Sequence, residues 1–360
     1  MVAGRTGASP LAGSRIDEER PMSEPPSPPD PMTPAAVSGP GPVSASNISG
    51  SAVRPGDRIF RGVSIAAGAT VLATMAGIAL FLVLKAVPAL RVDSTNFFTT
   101  TVWLPESATS GGLPTFGIAA LLFHTLVTGA IAMILAVPVA IGIALFITYY
   151  APRRLSAPTG YLVDLLAAVP SIVYGLWGFA FLAPRLTGLV LWLDHWLGWT
   201  GVFDYRLESR PNNLSDFTAG IVLAIMILPI VSSISREVFR QVPHDQREAA
   251  LAIGATRWEM IRTAVLPFGR SGVLSASILG LGRALGETLA VTLILASAYD
   301  ISIHITERGG VTFASNIALK YGEASTVGTG ALIAAGLCLF VITMAVNFGA
   351  QLLIRRQKVG

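Results

Sequence analysis

Long apolar runs separated by short polar stretches organise residues 56–354, and almost no apolar periodicity precedes them. Crossing about 30 Å of hydrocarbon takes about 20 helical residues. Six runs meet that length, at roughly 62–84, 116–149, 160–184, 217–235, 271–298 and 328–354. The pattern predicts an all-α, polytopic membrane helix bundle with six transmembrane helices. The second run is long enough to tilt or to project beyond the bilayer. Pro138, Pro170 and Pro229 fall inside runs, where neighbouring helices can satisfy the carbonyls they free. Gly, Ala and Ser are frequent in the runs, as close helix packing in lipid requires. LTGLVLWLDHWLGW (186–199) is apolar but short and broken by Asp194 and His195. It reads as an interfacial helix with its Trp residues at headgroup level.

Composition agrees. Hydrophobic residues make up 52% of the 360 and charged residues 13%, about half the roughly 25% of soluble domains. A water-soluble enzyme, a collagen-like fibre and a disulfide-rich secreted domain are excluded. The single cysteine, Cys338, lies in an apolar run and cannot form an intrachain disulfide. Residues 1–55 differ from the rest: they hold eleven of the 23 prolines and lack both an apolar period and the h-region of a secretory signal peptide. They read as a disordered, Pro-rich cytoplasmic tail, with nothing to bury against the entropy of ordering.

Six spans put both termini on one side. If that side is the cytoplasm, fourteen Lys and Arg flank the spans inside and seven outside, which predicts cytoplasmic N- and C-termini. Nine acids fall in the outer loops: Asp93, Glu106, Asp194, Asp204, Glu208, Asp216, Asp300, Glu307 and Glu323.

The fourth and fifth spans are joined by SREVFRQVPHDQREAALAIGATRWEMIRTAVLPFGR (235–270). It reads as two short amphipathic helices: one over about Asp245–Ile253, a stop at Gly254, and a second started by Thr256 with Glu259 three residues on, the spacing of a capping box. Trp258, Ile261 and Val265 give the second helix an apolar stripe, and Pro267 marks the return to the membrane. The pattern suits an elbow that docks into a groove of a soluble partner, and equally a loop lying on the lipid surface. A P-loop needs Gly-Lys-Ser/Thr, and the residues before Lys85, Lys320 and Lys358 are Leu84, Leu319 and Gln357. ATP hydrolysis would therefore have to come from another chain.

Charges inside the runs are the remaining signal. Arg283 and Glu287 in GRALGETLAV (282–291) are four residues apart, on one face of a continuous helix, where they can pair. A charge at mid-membrane costs about 2.5–3.5 kcal/mol on insertion scales, so such residues face a bundle interior or a water cavity. They serve either as a structural ion pair or on a solute path. Asp164 reads as structural, and His124 as an interhelical hydrogen-bonding residue. His195 has no partner spacing for a metal, and no metal-ligand cluster or nucleophile–base constellation is visible.

EAALAIGATRWEMIRTAVLP (248–267) resembles the EAA loop of ABC-importer permeases: Glu248, Ala249, Ala250, Gly254, Leu266 and Pro267 match its pattern, and Ala264 stands where Ile is usual. The run on to LGLGRALGETLAV, with LLAAVPSIVYGLWG (165–178) and AVPVAIGIALFITYYAP (136–152), is similar to the PstC family of phosphate ABC-importer permeases over about residues 56–354. The resemblance implies the type I (MetI-like) permease fold. The organisation is a tail at 1–55, a first helix and outer loop at 56–115, an ABC type-1 transmembrane domain at 116–354 with its coupling loop at 236–270, and a cytoplasmic end at 355–360. It implies Glu248, Ala249, Ala250, Gly254, Leu266 and Pro267 as ATPase-coupling residues, and Arg283 and Glu287 on the translocation pathway for inorganic phosphate. It also implies a PstA-like second permease, a PstB-like ATPase dimer carrying ATP and Mg, and a PstS-like phosphate-binding protein. This chain itself would bind no cofactor. Two alternatives remain at this point: a permease for another oxyanion, and an ATP-independent transporter, which would need no docking elbow.

Overall fold

The computed structural model describes residues 55–204 and 213–357. The tail, with Ser38, and the segment holding Arg206, Glu208, Arg210 and Asn212 lie outside the described residues, as does Lys358. The chain divides into two units, Met1–Ile65 and Ala66–Gly360. Only the first turns of one helix, from Pro55, are described in the former; the packing that follows concerns the latter.

Helices dominate, because a spanning chain has to satisfy its backbone polar groups internally. The first is α1 (Pro55–Val92). A two-residue antiparallel ribbon follows, β1 (Trp103–Leu104) with β2 (Thr115–Phe116), in register Trp103 with Phe116. This ribbon departs from the all-α expectation. Two residues per strand leave no alternation to read, and aromatic contacts of Phe116 with Phe97 and Trp103 hold the ribbon together. Next come α2 (Ala119–Leu145), which runs into a π turn at Phe146–Tyr150, α3 (Arg153–Ala167) and α4 (Ser171–Trp177). A second π turn and the one-turn α5 (Ala183–Arg185) lead to α6 (Thr187–Leu197). The rest of the bundle is α7 (Asp216–Arg240), α8 (His244–Ala252), α9 (Arg257–Met260), a third π turn at Ile261–Val265, α10 (Leu266–Leu285), α11 (Leu289–Ile294), α12 (Phe313–Lys320) and α13 (Thr326–Gln357).

Five helices are long and apolar enough to cross a membrane, and six spans result if the bent pair Arg154–Ala167 and Ser171–Arg185 counts as one. The third predicted span is therefore broken: the chain turns by 89° between α3 and α4. Pro170 sits at the corner with ψ 138. It lacks the N–H that would continue the helix, and its ring pushes the preceding residue out of helical geometry.

The core packs α2 against α7. Ala132, Ala136, Ala140 and Ala144 recur every four residues on α2, all at most 1% exposed. That stripe lets the two backbones approach closely. Gly175 does the same for α4 and α11, since a Cβ there would lie 2.6 Å from the Cα of Ala290. A second cluster joins Ala86 and Ala89 of α1 to Phe116, Phe313 and Leu332. Beside it the Tyr299 hydroxyl donates to Asn316 Oδ1 at 2.8 Å, and burial pushes that phenol up to about 12. The 11-residue α6 is only about 16 Å long. Val190 is buried, whereas Trp192, Trp196 and Trp199 are exposed, an arrangement consistent with a helix lying at an interface.

Candidate functional site

The elbow forms as its local chemistry dictates. Helix α8 covers His244–Ala252, and Gly254 has φ +88. The Gly254 N–H donates to the Leu251 carbonyl at 3.0 Å and the Ala255 N–H to the Ala250 carbonyl at 3.2 Å. These are the two bonds of a Schellman motif, which needs a left-handed residue at the position Gly254 fills. The Glu259 N–H donates to the Thr256 hydroxyl oxygen at 3.3 Å, and the Thr256 N–H donates to Glu259 Oε2 at 2.7 Å, completing the capping box. On α8, His244 and Glu248 form an exposed i,i+4 pair at 3.2 Å.

The predicted apolar stripe of the second helix is divided. Ile261 and Val265 are fully buried, with Met260, against Phe239 and Leu145. Trp258 stays 57% exposed, and Ile253, before the turn, 87%. Helix α9 is not a separate element that ends at Pro267: Arg257–Leu285 is a continuous helix of 29 residues. The π turn at Ile261–Val265 precedes Leu266 and Pro267, so the register shift falls where proline has no N–H to donate. The elbow therefore leads directly into the fifth span. Of the coupling residues, Ala250 packs against the cluster around Phe239, whereas Glu248 lies in the exposed pair.

Arg283 and Glu287 do not share a helix face. Helix α10 ends at Leu285, with Gly286 as its cap residue, and α11 starts at Leu289. The expected i,i+4 pair assumed an unbroken helix over 271–298, and among the described residues the two side chains form no ion pair. Each is placed by its own helix end. Arg283 lies in the last turn of α10 and Glu287 just before the first turn of α11, where its Oε1 accepts from the Ala290 N–H at 3.3 Å. Both charges complement the local dipole. Separate placement leaves the Arg283 guanidinium free of the counter-charge expected for it. It faces an open groove of about 650 Å³ between α7, α10 and α13, lined also by Ile230, Ser275, Gly282, Asn347 and Gln351. The only signal of the break in the sequence was Gly286.

Two further charged contacts fix the bundle. Arg236 on α7 donates to both carboxylate oxygens of Asp164 on α3, at 3.0 and 2.8 Å, which ties one arm of the bent pair down and makes Asp164 structural as expected. His124 on α2 is 1% exposed, with Nδ1 2.7 Å from Asp216 Oδ2 and Nε2 3.0 Å from the Asp300 carbonyl. The expectation of an interhelical hydrogen bond at His124 is met. Asp216, counted above among the outer-loop acids, is instead the first residue of α7 and 3% exposed. Its partner lies 92 residues away, beyond the reach of local patterning. Among the described residues no group of three or more His, Cys, Asp or Glu could hold a metal ion.

The bundle, its elbow and its broken helix define a membrane-embedded permease subunit of the ABC importer class. Residues 136–359 match the family model for the binding-protein-dependent transport system inner membrane component. The phosphate transport system permease protein PstC 2 of Mycobacterium tuberculosis is 52% identical over 299 residues, covering 83% of this chain and 91% of that protein. PstC of Mycobacterium leprae is 50% identical over 296 residues (82% and 92% covered), and PstC of Xylella fastidiosa 39% over 302 (83% and 91%). Among solved structures, a bacterial ABC transporter involved in the import of the acidic polysaccharide alginate aligns with TM-score 0.50 at 16% identity, over 83% of this chain and 99% of that one. That likeness concerns the fold alone. The chain belongs to the PstC family of phosphate transport system permeases. It is a multi-pass inner-membrane transport subunit and not an enzyme, of a class that works with an ATPase and a substrate-binding protein.

Proposed function

We propose that this chain forms half of the translocation pathway of an inorganic phosphate importer. Its partners would be a PstA-like second permease, a PstB-like ATPase dimer that carries ATP and Mg, and a PstS-like phosphate-binding protein. The chain itself binds no cofactor. Both termini and the elbow face the cytoplasm. The observation that carries this reading is the elbow. A Schellman motif and a capping box fix two helix ends around Gly254 and leave Ile253 and Trp258 exposed, the form an ATPase groove would receive. Glu248 and Ala249 belong to the α8 half of that surface, and Leu266 and Pro267 join it to the span.

Arg283 is the pathway cation in this reading, and Glu287 holds the N-terminal end of α11 beside it. Because the two do not pair, Arg283→Gln strands no buried partner. It forfeits only a helix-dipole contribution of about 0.3–1 kcal/mol. The variant should assemble with its partners and fail to take up phosphate. Uptake per assembled complex measures this, and near wild-type uptake by Arg283→Gln would remove Arg283 from the pathway. Copurification with the ATPase, and its loss in Glu248→Lys, tests the docking half separately.

A further inference from the structure

The groove that holds Arg283 contains three more polar side chains that neither the elbow nor the helix break accounts for: Ser275, Asn347 and Gln351. Ser275 lies on the Arg283 face of α10, eight residues toward the elbow, about 12 Å along the axis. Asn347 and Gln351 are one turn apart on α13, about 6 Å. In the six-span topology α10 and α13 run in opposite directions, so Asn347 is nearer the level of Arg283 and Gln351 nearer that of Ser275. The Ser275 hydroxyl donates to the Ser271 carbonyl at 2.8 Å, which leaves its oxygen as an acceptor. The amides of Asn347 and Gln351 have no hydrogen-bond partner among the described residues.

Polar side chains on the walls of a groove between spanning helices persist against water, an ion or another chain. The three are neutral, and together they offer donors and acceptors. That matches a partly protonated tetrahedral oxyanion, which has P–O⁻ acceptors and a P–OH donor. A guanidinium alone would hold such an anion strongly. A series of weaker neutral sites lets it move on.

We infer that Ser275, Asn347 and Gln351 are the rungs of a neutral hydrogen-bonding ladder that takes a partly protonated oxyanion from Arg283 and passes it toward the elbow side of the membrane. The inference rests on the reading of Arg283 as the pathway cation.

The test uses the full complex, with Cys338→Ser as background and Asn347→Cys or Gln351→Cys added, treated with a negatively charged, water-soluble methanethiosulfonate. Both cysteines should react in the assembled complex. Inorganic phosphate should slow the reaction during turnover. Modification should lower phosphate uptake per complex by about tenfold or more, with the ATPase still bound. Cysteines that stay inert in a complex that takes up phosphate overturn the ladder, as does reaction without loss of uptake. Gln351→Met, which keeps the length of the side chain and removes its donor, covers the case of poor labelling. Slowed uptake with intact assembly supports the ladder, whereas lost assembly with normal uptake per complex assigns the amide to contact between the two permeases and overturns it. If the complex moved no phosphate, yet both cysteines reacted and another oxyanion protected them, the ladder would stand and the phosphate reading would fall.

Discussion

Replacing Gly254 separates the shape of the elbow from the contacts it makes. With φ +88 and no heavy atom within 4 Å of a built Cβ, a side chain there meets no obstacle within the chain, so the cost is conformational alone. An L-residue held in the left-handed region costs about 1–2 kcal/mol, a factor of about 5–30 in the population of the docking geometry. Asn tolerates that region far better, and a β-branched residue tolerates it worst. The affinity of the ATPase for the purified permease pair should therefore fall in the order Gly254, then Asn, then Ala, then Val. Gly254→Ala should lose about 5–30-fold, while the thermal stability of the bundle is unchanged. Titrating labelled ATPase onto permeases in nanodiscs reads this directly. If Ala and Val bound as well as Gly, the Schellman turn would not be what presents the elbow. If Asn were as damaging as Val, the loss would come from a clash with the partner's groove and the conformational argument would fail.

Two other expectations can be checked with the same material. His124→Leu leaves the buried Asp216 carboxylate without its partner, a change that typically costs about 3–5 kcal/mol. The melting temperature in detergent should drop sharply, and adding Asp216→Leu should recover most of it; additive losses in the double variant would show that the pair does not act as a unit. On a Cys338→Ser background, Ile253→Cys should label only after the cells are permeabilised, and Leu113→Cys should label from outside, since both positions are highly exposed. Labelling of position 253 by an impermeant reagent in intact cells would reverse the proposed orientation.

What was legible in the sequence is what short-range chemistry decides. The stop at Gly254 and the Thr256–Glu259 capping box involve residues at most a turn apart, and both form as read. The apolar runs mark the spans because hydrocarbon thickness fixes their length. Where the reading failed, the cause lay elsewhere in the fold. Pro170 marks a kink, but the size of the 89° bend between its flanking helices is not local information: α4 packs on α11, more than a hundred residues on, at Gly175. The interruption at 286–288 (Gly-Glu-Thr) carries no proline and is flanked by apolar residues on both sides, so the run looks continuous and Arg283 looks paired. Asp216 looked like one loop acid among nine until α2 brought His124 to it. Trp258 and Ile261 are three residues apart, yet one faces out and the other is buried, because α9 packs on Phe239 along only part of its stripe.

The continuity of Arg257–Leu285 has a mechanical consequence. Trp258 on the elbow and Arg283 in the groove are 25 residues apart on one helix that runs through the π turn at Ile261–Val265, a span of about 37 Å. Moved as one body, such an element would carry each end roughly 3 Å sideways, in opposite directions, for a tilt of about 10° about its midpoint. In the proposed function, a push on the elbow would then reach the guanidinium as a displacement of comparable size and reversed sense, with no chain of intermediate contacts needed to relay it. The break just beyond Leu285 would let α11 stay packed on α4 during such a tilt.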